Sequence, residues 1–336
     1  MCMVLVLHTN LSGGFLKIEE PNMYRLLICL YEHMSIVAVD VFVIISAWFL
    51  SEKYASFSKI VSLIWTILFW TIIMSIIAYM LGEQISFKDI AKSVPLIGRA
   101  YDFCSGYIVM YLCSPYLNKI LDNATKKQLS LLALGAFFLF SVATPLTTSH
   151  YLYIGGGYSF MWFVILYIIT VWVKAIRDYF SIRHCLYVYL TLSFFCALAD
   201  FYGIAFIGGL EYNNPFVAVS AFCIFLVFLK INIRCAFLTR LVSFFAPLAF
   251  GVFLIHANFL FVRWYQKFQF CNWISGDISS YLFGVPIFVA IVFICCSYLE
   301  YLRIRIFKLI KEKERTEKLC NKLDSIYTKL IRKLEK

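Results

Sequence analysis

The amino-acid sequence predicts an all-α, polytopic membrane protein, and three observations lead to this prediction. The 336 residues are 62% hydrophobic and only 15% charged, with a mean hydropathy of +0.83, which is far more apolar than a soluble domain of this length. Apolar runs of about twenty residues recur along the chain, as bilayer-spanning helices require. The short alternating segments of a membrane β-barrel do not occur in the sequence.

The recurring apolar runs predict about ten transmembrane helices, of which the first is apparently truncated. A helix needs about twenty residues to cross a bilayer, and the first run has barely half that length, so we expect the sequence to begin inside its own first helix. Pro115 and Asn118 favour a helix end after the fourth run, and the glycine triplet 155–157 favours a turn before the sixth. The predicted spans are residues 1–11, 34–50, 60–81, 101–116, 129–147, 158–173, 185–199, 215–229, 244–262 and 281–302.

The distribution of basic residues predicts the orientation in the membrane. With a cytoplasmic N-terminus, the segments that face the cytoplasm carry 23 of the 30 Lys and Arg residues, and the opposite side carries seven. Because positive charge favours the cytoplasmic side, we expect both termini to be cytoplasmic. The net charge of +11 therefore reflects membrane orientation, and no nucleic acid is expected as a partner. The twelve cysteines, never spaced as CxxC, are expected to be small core residues.

Residues 303–336 form a basic tail after the apolar part, 1–302. Apolar side chains recur in the tail at helical spacing among many lysines, which predicts an amphipathic helix on the anionic inner leaflet. A coiled-coil contact with a partner is the alternative. The apolar positions are Leu319, Leu323, Ile326, Leu330 and Leu334.

Three ionisable residues within the apolar runs are candidates for a reactive site. His8 lies near the outer end of the first span, Asp40 lies within the second, and His256 lies in the outer half of the ninth. An ionisable group in hydrocarbon is costly unless it is paired or lines a wet cavity, so such residues are functional candidates. We expect the three side chains to gather toward one face. The alternatives are separate structural roles. His8 would bond to backbone at a helix end, Asp40 would pair with a neighbouring helix, and His256 would be a hydrogen-bonded core residue.

Five further ionisable residues lie near the same predicted surface. Glu32 and His33 come just before the second span, and we expect them to face the lipid headgroups, with membership of the candidate site as the alternative. Asp102, Asp200 and Glu211 lie at outer helix ends, where contact with water accounts for them.

Short motifs in several of the predicted helices, in a fixed order, carry a resemblance to a known family. The first is the histidine near the outer end of the first helix, in Val6-Leu7-His8, and the second is Val39-Asp40-Val-Phe-Val-Ile-Ile-Ser46. The further matching segments are residues 107–119, 157–163, 212–216 and 250–256. Together with the ten spans, this ordered set resembles the membrane acyltransferase family 3 over nearly the whole chain.

The resemblance implies an integral-membrane O-acyltransferase that modifies bacterial surface glycans, with residues 1–302 as the acyltransferase domain. The implied donor is cytoplasmic acyl-coenzyme A, usually acetyl-CoA, and the acceptor is a sugar hydroxyl beyond the bacterial cytoplasmic (inner) membrane. The family's catalytic histidine corresponds to His8, which would act as general base toward the hydroxyl or as a transient acyl carrier. Asp40 and His256 are expected as supporting catalytic residues, and no metal is expected.

The sequence departs from the family pattern at three places. The family's arginine eleven residues before the histidine would lie upstream of Met1, Ala47 replaces a glycine, and Asp102 replaces an aromatic residue. That arginine would help to hold the donor's phosphates, so no donor-binding residue is assigned. A transporter or flippase for a glycan precursor is the alternative from another class, although the sequence lacks the expected repeats and broken helices. An inactive acyltransferase relative is the third reading.

Overall fold

A computed structural model of the protein describes residues 1–52, 55–98, 101–147, 153–274 and 277–334. These residues are mostly helical and contain no β-strand, so the prediction of an all-α protein is confirmed. Numbered in chain order, the α-helices of the described residues are α1 (Cys2–Ser12), α2 (Met23–Ser35), α3 (Ala38–Leu50), α4 (Phe57–Met80), α5 (Phe87–Ala91), α6 (Asp102–Asp122), α7 (Lys126–Phe137), α8 (Phe160–Ile176), α9 (Ile182–Phe201), α10 (Ala205–Gly208), α11 (Pro215–Lys230), α12 (Ala236–Phe245), α13 (Ala249–His256), α14 (Phe259–Phe268), α15 (Ile278–Leu309) and α16 (Glu312–Leu334).

Seven helical stretches within the described residues are long and apolar enough to cross a membrane. The first joins α2 to α3 and the sixth joins α12 to α13, while α1 and α11 are apolar but shorter. The prediction of a polytopic membrane protein is therefore confirmed, and the predicted number of ten spans stays a prediction. The seven stretches are Met23–Leu50, Phe57–Met80, Lys126–Leu146, Phe160–Tyr179, Ile182–Phe201, Ala236–His256 and Ile278–Leu309.

The helix of the fourth predicted span continues past the residues that favoured its end. α6 passes through Pro115 and Asn118 and ends at Asp122. The Nδ2 atom of Asn118 donates to the carbonyl oxygen of Leu50 at 2.9 Å, and its Oδ1 atom accepts from the hydroxyl of Tyr167 at 2.5 Å. The predicted helix end is wrong because the Asn118 side chain bonds to α3 and α8 and does not compete for its own backbone.

The ninth predicted span, residues 244–262, is divided into separate helices. α13 ends at His256, and α14 begins at Phe259 with Asn258 as its N-cap residue. The Oδ1 atom of Asn258 accepts from the backbone N–H of Leu260 at 3.1 Å, which satisfies one of the donors that a helix start leaves without a partner. The prediction of one continuous helix is wrong here, and the break directly follows His256.

The helices form two compact units, which are described separately. Unit 1 consists of Met1–Lys17, Ser56–Ser105 and Ile233–Lys336, and unit 2 of Ile18–Ala55 and Gly106–Asn232. In unit 1, α13 packs against α4, α14 and α15, and α1 packs against α14 and α15. The last helix, α16, packs on α4. In unit 2, α9 packs against α2, α10 and α11, and α3 packs against α8 and α11.

Candidate active site

His8 lies on α1 directly before two polar residues that tie this short helix to its neighbours in unit 1. The hydroxyl of Thr9 lies 3.0 Å from the hydroxyl of Tyr265 on α14, and Tyr281 on α15 donates a 2.8 Å hydrogen bond to the Oδ1 atom of Asn10. Thr9 and Asn10 are both buried. Because an isolated helix of this length is marginal, these contacts hold α1 and its histidine in place.

His256 is the last residue of α13, and one of its ring nitrogens is bound to the backbone. The Nδ1 atom lies 2.6 Å from the carbonyl oxygen of Val252, one helical turn earlier. A carbonyl oxygen only accepts, so Nδ1 carries the proton and Nε2 keeps its lone pair in the neutral ring. The Nε2 atom is buried and has no hydrogen-bond partner within the described residues. His256 therefore presents a nitrogen that can accept a proton.

Tyr101 forms hydrogen bonds to residues on both sides of His256. Its hydroxyl donates to the carbonyl oxygen of Leu254 at 2.9 Å and accepts from the Nδ2 atom of Asn258 at 3.2 Å. Tyr101, Leu254 and Asn258 are all buried, so neither bond competes with water. The hydroxyl joins the last turn of α13 to the cap of α14, and it thereby limits the movement of the histidine between them.

The structure brings the imidazole rings of His8 and His256 together. Their centroids lie 4.9 Å apart, and the ring planes are inclined at 51°. The Nδ1 atom of His8 is also buried without a hydrogen-bond partner in the described parts of the chain. The pair lies at a small, partly open cleft. The residues that line this cleft are Leu5, His8, Ser12, His256, Phe261, Val262 and Tyr265.

The unpartnered ring nitrogens indicate what the cleft can do chemically. Buried polar atoms in native proteins are nearly always hydrogen-bonded, so an orphaned atom at a cleft marks a place for a water or a ligand group. The Nδ1 atom of His8 and the Nε2 atom of His256 are two such atoms on adjacent rings. An imidazole can take up and release a proton near neutral pH. The arrangement is therefore suited to proton transfer with a hydroxyl group.

Ion pairs hold α14, one wall of the cleft, to the segment around α5. Lys267 pairs with Glu83, and the Nη2 atom of Arg263 lies 3.8 Å from an oxygen of Asp89. The hydrogen bond from Lys267 holds the pKa of Glu83 below its usual value. The pKa of Asp89 is also lowered, first by hydrogen bonds from Ser86. Both carboxylates therefore favour their ionised forms beside the basic residues of α14.

Asp40, the third candidate, belongs to unit 2, where it is paired with Trp162. The Nε1–H group of Trp162 on α8 donates to the Oδ1 atom of Asp40 at 3.0 Å, and both side chains are fully buried. The Oδ2 atom has no partner among the residues described. The carboxyl group thus has one of the partners that its burial requires. Trp162 lies in residues 157–163, one of the segments that carry the family resemblance, but its pairing with Asp40 was not predicted, since spacing within one helix does not reveal which residue of another helix faces it.

Of the three predicted site residues, the structure places His8 and His256 in contact within unit 1 and Asp40 in unit 2. The catalytic roles of all three stay predictions. Tyr265, which lines the cleft and contacts Thr9, was not identified from the sequence. Its position in the chain, nine residues after His256 and beyond a helix break, gave no signal.

The expectation that Glu32 and His33 face the headgroups is wrong. Both side chains are buried, because α2 packs along α9. The Nε2 atom of His33 lies 3.3 Å from the Oδ2 atom of Asp200 near the end of α9. Asp200 is thus paired with a buried histidine, and contact with water alone does not account for it.

A buried ion pair on α15 was not identified from the sequence. The Nε and Nη2 atoms of Arg303 donate to the carboxylate of Glu300 at 2.9 and 2.6 Å, and Trp70 on α4 donates to the same carboxylate at 2.7 Å. The signal was the three-residue spacing of opposite charges in an apolar helix. α15 continues through the predicted division at residues 302 and 303, which itself stays a prediction.

Within the described residues, no three His, Cys, Asp or Glu side chains are gathered as metal ligands would be, and the expected absence of a metal stays a prediction.

The comparisons with known proteins give a family match. The family model of acyltransferase family 3, described as an acyltransferase domain, matches residues 1–300. No curated protein and no solved structure matches the chain. The extent of the family match, together with the apolar helices, shows that the chain belongs to acyltransferase family 3 and is a membrane acyltransferase.

Proposed function

We propose that the protein transfers an acyl group, most simply acetyl, from acyl-coenzyme A to a hydroxyl of a cell-surface or exported glycan. The observation that carries the proposal is the contact of His8 with His256 at a cleft within the matched acyltransferase domain. The distribution of Lys and Arg supports an orientation with both termini in the cytoplasm, and we place the protein in the cytoplasmic membrane of a bacterium. The donor is then on the inner side of the cytoplasmic membrane and the glycan on the outer side.

In one route, His8 acts as a general base. A ring nitrogen removes the proton from the acceptor hydroxyl while the hydroxyl oxygen attacks the carbonyl carbon of the thioester. The new C–O bond forms, the C–S bond breaks, and the imidazolium gives its proton to the departing sulfur of coenzyme A. A neutral imidazole at the start of the cycle meets this requirement near neutral pH.

In the other route, His8 carries the acyl group. A ring nitrogen attacks the thioester carbonyl, the C–N bond forms and the C–S bond breaks, and coenzyme A leaves as the thiol with the proton that the other ring nitrogen gives up. The acceptor oxygen then attacks the acyl-imidazole, the C–N bond breaks, and the hydroxyl proton returns to the ring. This route divides the transfer into two steps, so donor and acceptor need not be bound at the same time.

His256 supports either route as a second proton acceptor. Its Nδ1–H group is bound to the carbonyl of Val252, so Nε2 is the nitrogen that is free to take a proton beside His8. Asp40 is proposed as a further supporting residue, because its unpartnered Oδ2 atom can accept another hydrogen bond.

The test is the ester content of the surface glycan in a host strain from which the gene is deleted. We expect the ester to be lost on deletion and restored by the wild-type gene. The His8→Gln variant should restore roughly 10²–10⁴-fold less transfer, because that is the usual contribution of a general base. His184→Gln is the matched control, since His184 is exposed and its hydrogen bonds among the described residues are to nearby Ser181. Unchanged ester content on deletion would exclude the proposed acyl transfer.

A second measurement separates the two routes for His8 and tests the transporter alternative. The purified protein is incubated with radiolabelled acetyl-CoA without acceptor, and the label on the protein is measured. Label that is present in the wild type, absent in His8→Gln and released by added acceptor identifies the acyl carrier. Transfer to acceptor without retained label identifies the general base. A protein that moves glycan across vesicles but transfers no label would favour the transporter.

A further inference from the structure

The helix α16 supplies a hydrogen-bond acceptor to the N-terminus of α4. The backbone N–H of Phe57 donates to the Oδ1 atom of Asp324 at 2.6 Å, and the hydroxyl of Ser56 donates to its Oδ2 atom at 3.0 Å. Ser56 is the N-cap residue of α4, and its own side chain makes no capping bond. A carboxylate at the N-terminus of a helix satisfies a free N–H group and the positive end of the helix dipole. Asp324 therefore caps α4 from a different helix.

Further contacts fix the same face of α16 to α4. The Oε1 atom of Glu312 accepts from the hydroxyl of Ser62 at 2.9 Å, and the ring of Tyr327 lies 5.0 Å from the ring of Phe57. Cys320 on this face is buried. The positions in contact or buried recur every three or four residues, as one face of a helix requires. We call this the docking face, and it consists of Glu312, Thr316, Cys320, Asp324 and Tyr327.

An apolar stripe beside the docking face is left uncovered. Leu319, Leu323 and Ile326 are 75%, 51% and 47% exposed. At 100° per residue, their mean direction lies roughly a quarter-turn around the helix from the docking face. We call these three residues the leucine stripe. The side chains of Leu330 and Leu334, which the sequence adds to the stripe, lie outside the described residues.

A row of basic side chains borders the leucine stripe on its other side. Four exposed basic residues lie roughly a quarter-turn around the helix from the leucine stripe. No ion pair among the described residues involves any of them. The order around α16 is thus docking face, leucine stripe and basic row. The basic row consists of Arg315, Lys318, Lys322 and Lys329.

The position of α16 next to the ends of two spans identifies the surface that it meets. α15 is long and apolar enough to cross the membrane and ends at Leu309, and α16 begins at Glu312. α4 is another such helix, and α16 docks at its first residues. A helix held at the ends of spanning helices lies at a membrane surface. The charge of the basic row requires an anionic partner, and the leucine stripe requires an apolar one.

We propose that the leucine stripe and the basic row of α16 bind anionic phospholipid. The stripe inserts among the acyl chains, and the basic row lies against the phosphate groups, while Asp324 keeps the helix in register with α4. Anionic phospholipid meets both requirements at once, because its phosphates carry the negative charge and its chains carry the apolar surface. The sequence pattern predicts an amphipathic tail, and the structure assigns separate residues of it to the protein and to the lipid.

The test uses the full-length protein in nanodiscs of phosphatidylcholine, with or without phosphatidylglycerol. An environment-sensitive fluorescent amino acid replaces Leu323 in one variant and Asn321, which is exposed on the side of α16 opposite the leucine stripe, in the control variant. We expect the probe at 323 to shift to the blue only in discs that contain phosphatidylglycerol, and brominated lipid to quench it. The probe at 321 should show neither change. A shift at 323 that brominated lipid does not quench would indicate a protein partner or a second copy and would overturn the proposal.

Charge reversal tests the basic row. Lys318→Glu/Lys322→Glu should abolish the dependence of the 323 probe on phosphatidylglycerol. The matched control is Lys126→Glu/Lys127→Glu, which changes the net charge equally at two exposed lysines of α7 and should leave that dependence unchanged. Equal effects of both pairs would overturn the assignment to the basic row. If the first pair does not fold, the comparison of probes at 323 and 321 with native lysines still decides the proposal.

Discussion

A Cβ atom on Gly251 would lie 2.0 Å from the carboxyl carbon of Glu300, so the side chain of Glu300 on α15 approaches α13 at a place where only glycine leaves room for it. The carboxylate cannot simply turn away, because Trp70 and Arg303 donate hydrogen bonds to it. Gly251 also belongs to the short helix that ends at His256. The close approach therefore links the buried ion pair of α15 to the helix that carries one histidine of the cleft.

Gly251→Ala should lower the unfolding temperature of the purified protein and its acyl transfer together. The added methyl group displaces the carboxylate of Glu300 and separates a buried charge from its partners, which is strongly destabilising. Gly135→Ala is the control, because a Cβ there meets nothing within 4 Å and alanine favours a helix by up to about 1 kcal/mol. The prediction fails if both variants unfold at the wild-type temperature.

Trp162→Phe should destabilise the protein by about 1–3 kcal/mol, because it leaves the buried Oδ1 atom of Asp40 without its donor. The measurement is unfolding in denaturant with detergent held constant. Trp172→Phe on the same helix is the control: its indole donates to Ser130 at 2.9 Å in a partly buried place, so water can replace it at lower cost. An equal loss of unfolding free energy in the two variants would show that the bond to Asp40 contributes no more to stability than the bond to Ser130.

Tyr101→Phe should lower the rate of acyl transfer at saturating donor and acceptor. It removes the hydroxyl that joins Leu254 to Asn258 and so frees the backbone around His256. Tyr189→Phe removes a comparable bond, to the carbonyl of Met34 in unit 2, and serves as the control for general destabilisation. A fall in rate in both variants, in proportion to lost stability, would argue against a specific effect on His256.

The pairing of Glu83 with Lys267 predicts a dependence of stability on pH. The pKa of Glu83 is lower in the folded protein than its usual value of 4.5, so the ionised carboxylate stabilises the folded state at pH values above 4.5. This stabilisation is lost as the pH falls through the lowered pKa. The difference in unfolding temperature between wild type and Glu83→Gln should therefore be small, because the pair is exposed, and should disappear in acid. Glu20→Gln, at an exposed residue outside the ion pairs of the described residues, should show no such difference at any pH.

The sequence was sufficient for the class of fold because hydropathy and helix length act on each segment separately. It also brought His8 and His256 to the same predicted side, since orientation depends only on span order and on the distribution of Lys and Arg. The sequence did not predict which residues of different helices contact each other. The partner of Asp40 is 122 residues away, and nothing in either segment reveals the rotation of one helix against the other.

Two helix boundaries were predicted wrongly, because the sequence does not show which hydrogen bond a polar side chain makes. Asn258 stands where an N-cap residue would begin a new helix, but the apolar residues around it favoured one continuous span. Pro115 and Asn118 have side chains that often end helices, yet bonds to other helices hold Asn118 within α6. In both cases the side-chain hydrogen bond decided where the helix ended, and the sequence does not show which partner that bond will find.

The cap that Asp324 supplies to α4 has a consequence for how the protein is made. Asp324 follows Phe57 by 267 residues, so α4 leaves the ribosome and enters the membrane long before its cap exists. Until the final helix is synthesised, the first N–H groups of α4 depend on water or lipid for their hydrogen bonds. Translation that stops anywhere before Asp324 leaves this helix permanently without that carboxylate. The cap on α4 therefore forms only in chains that have been synthesised at least as far as Asp324.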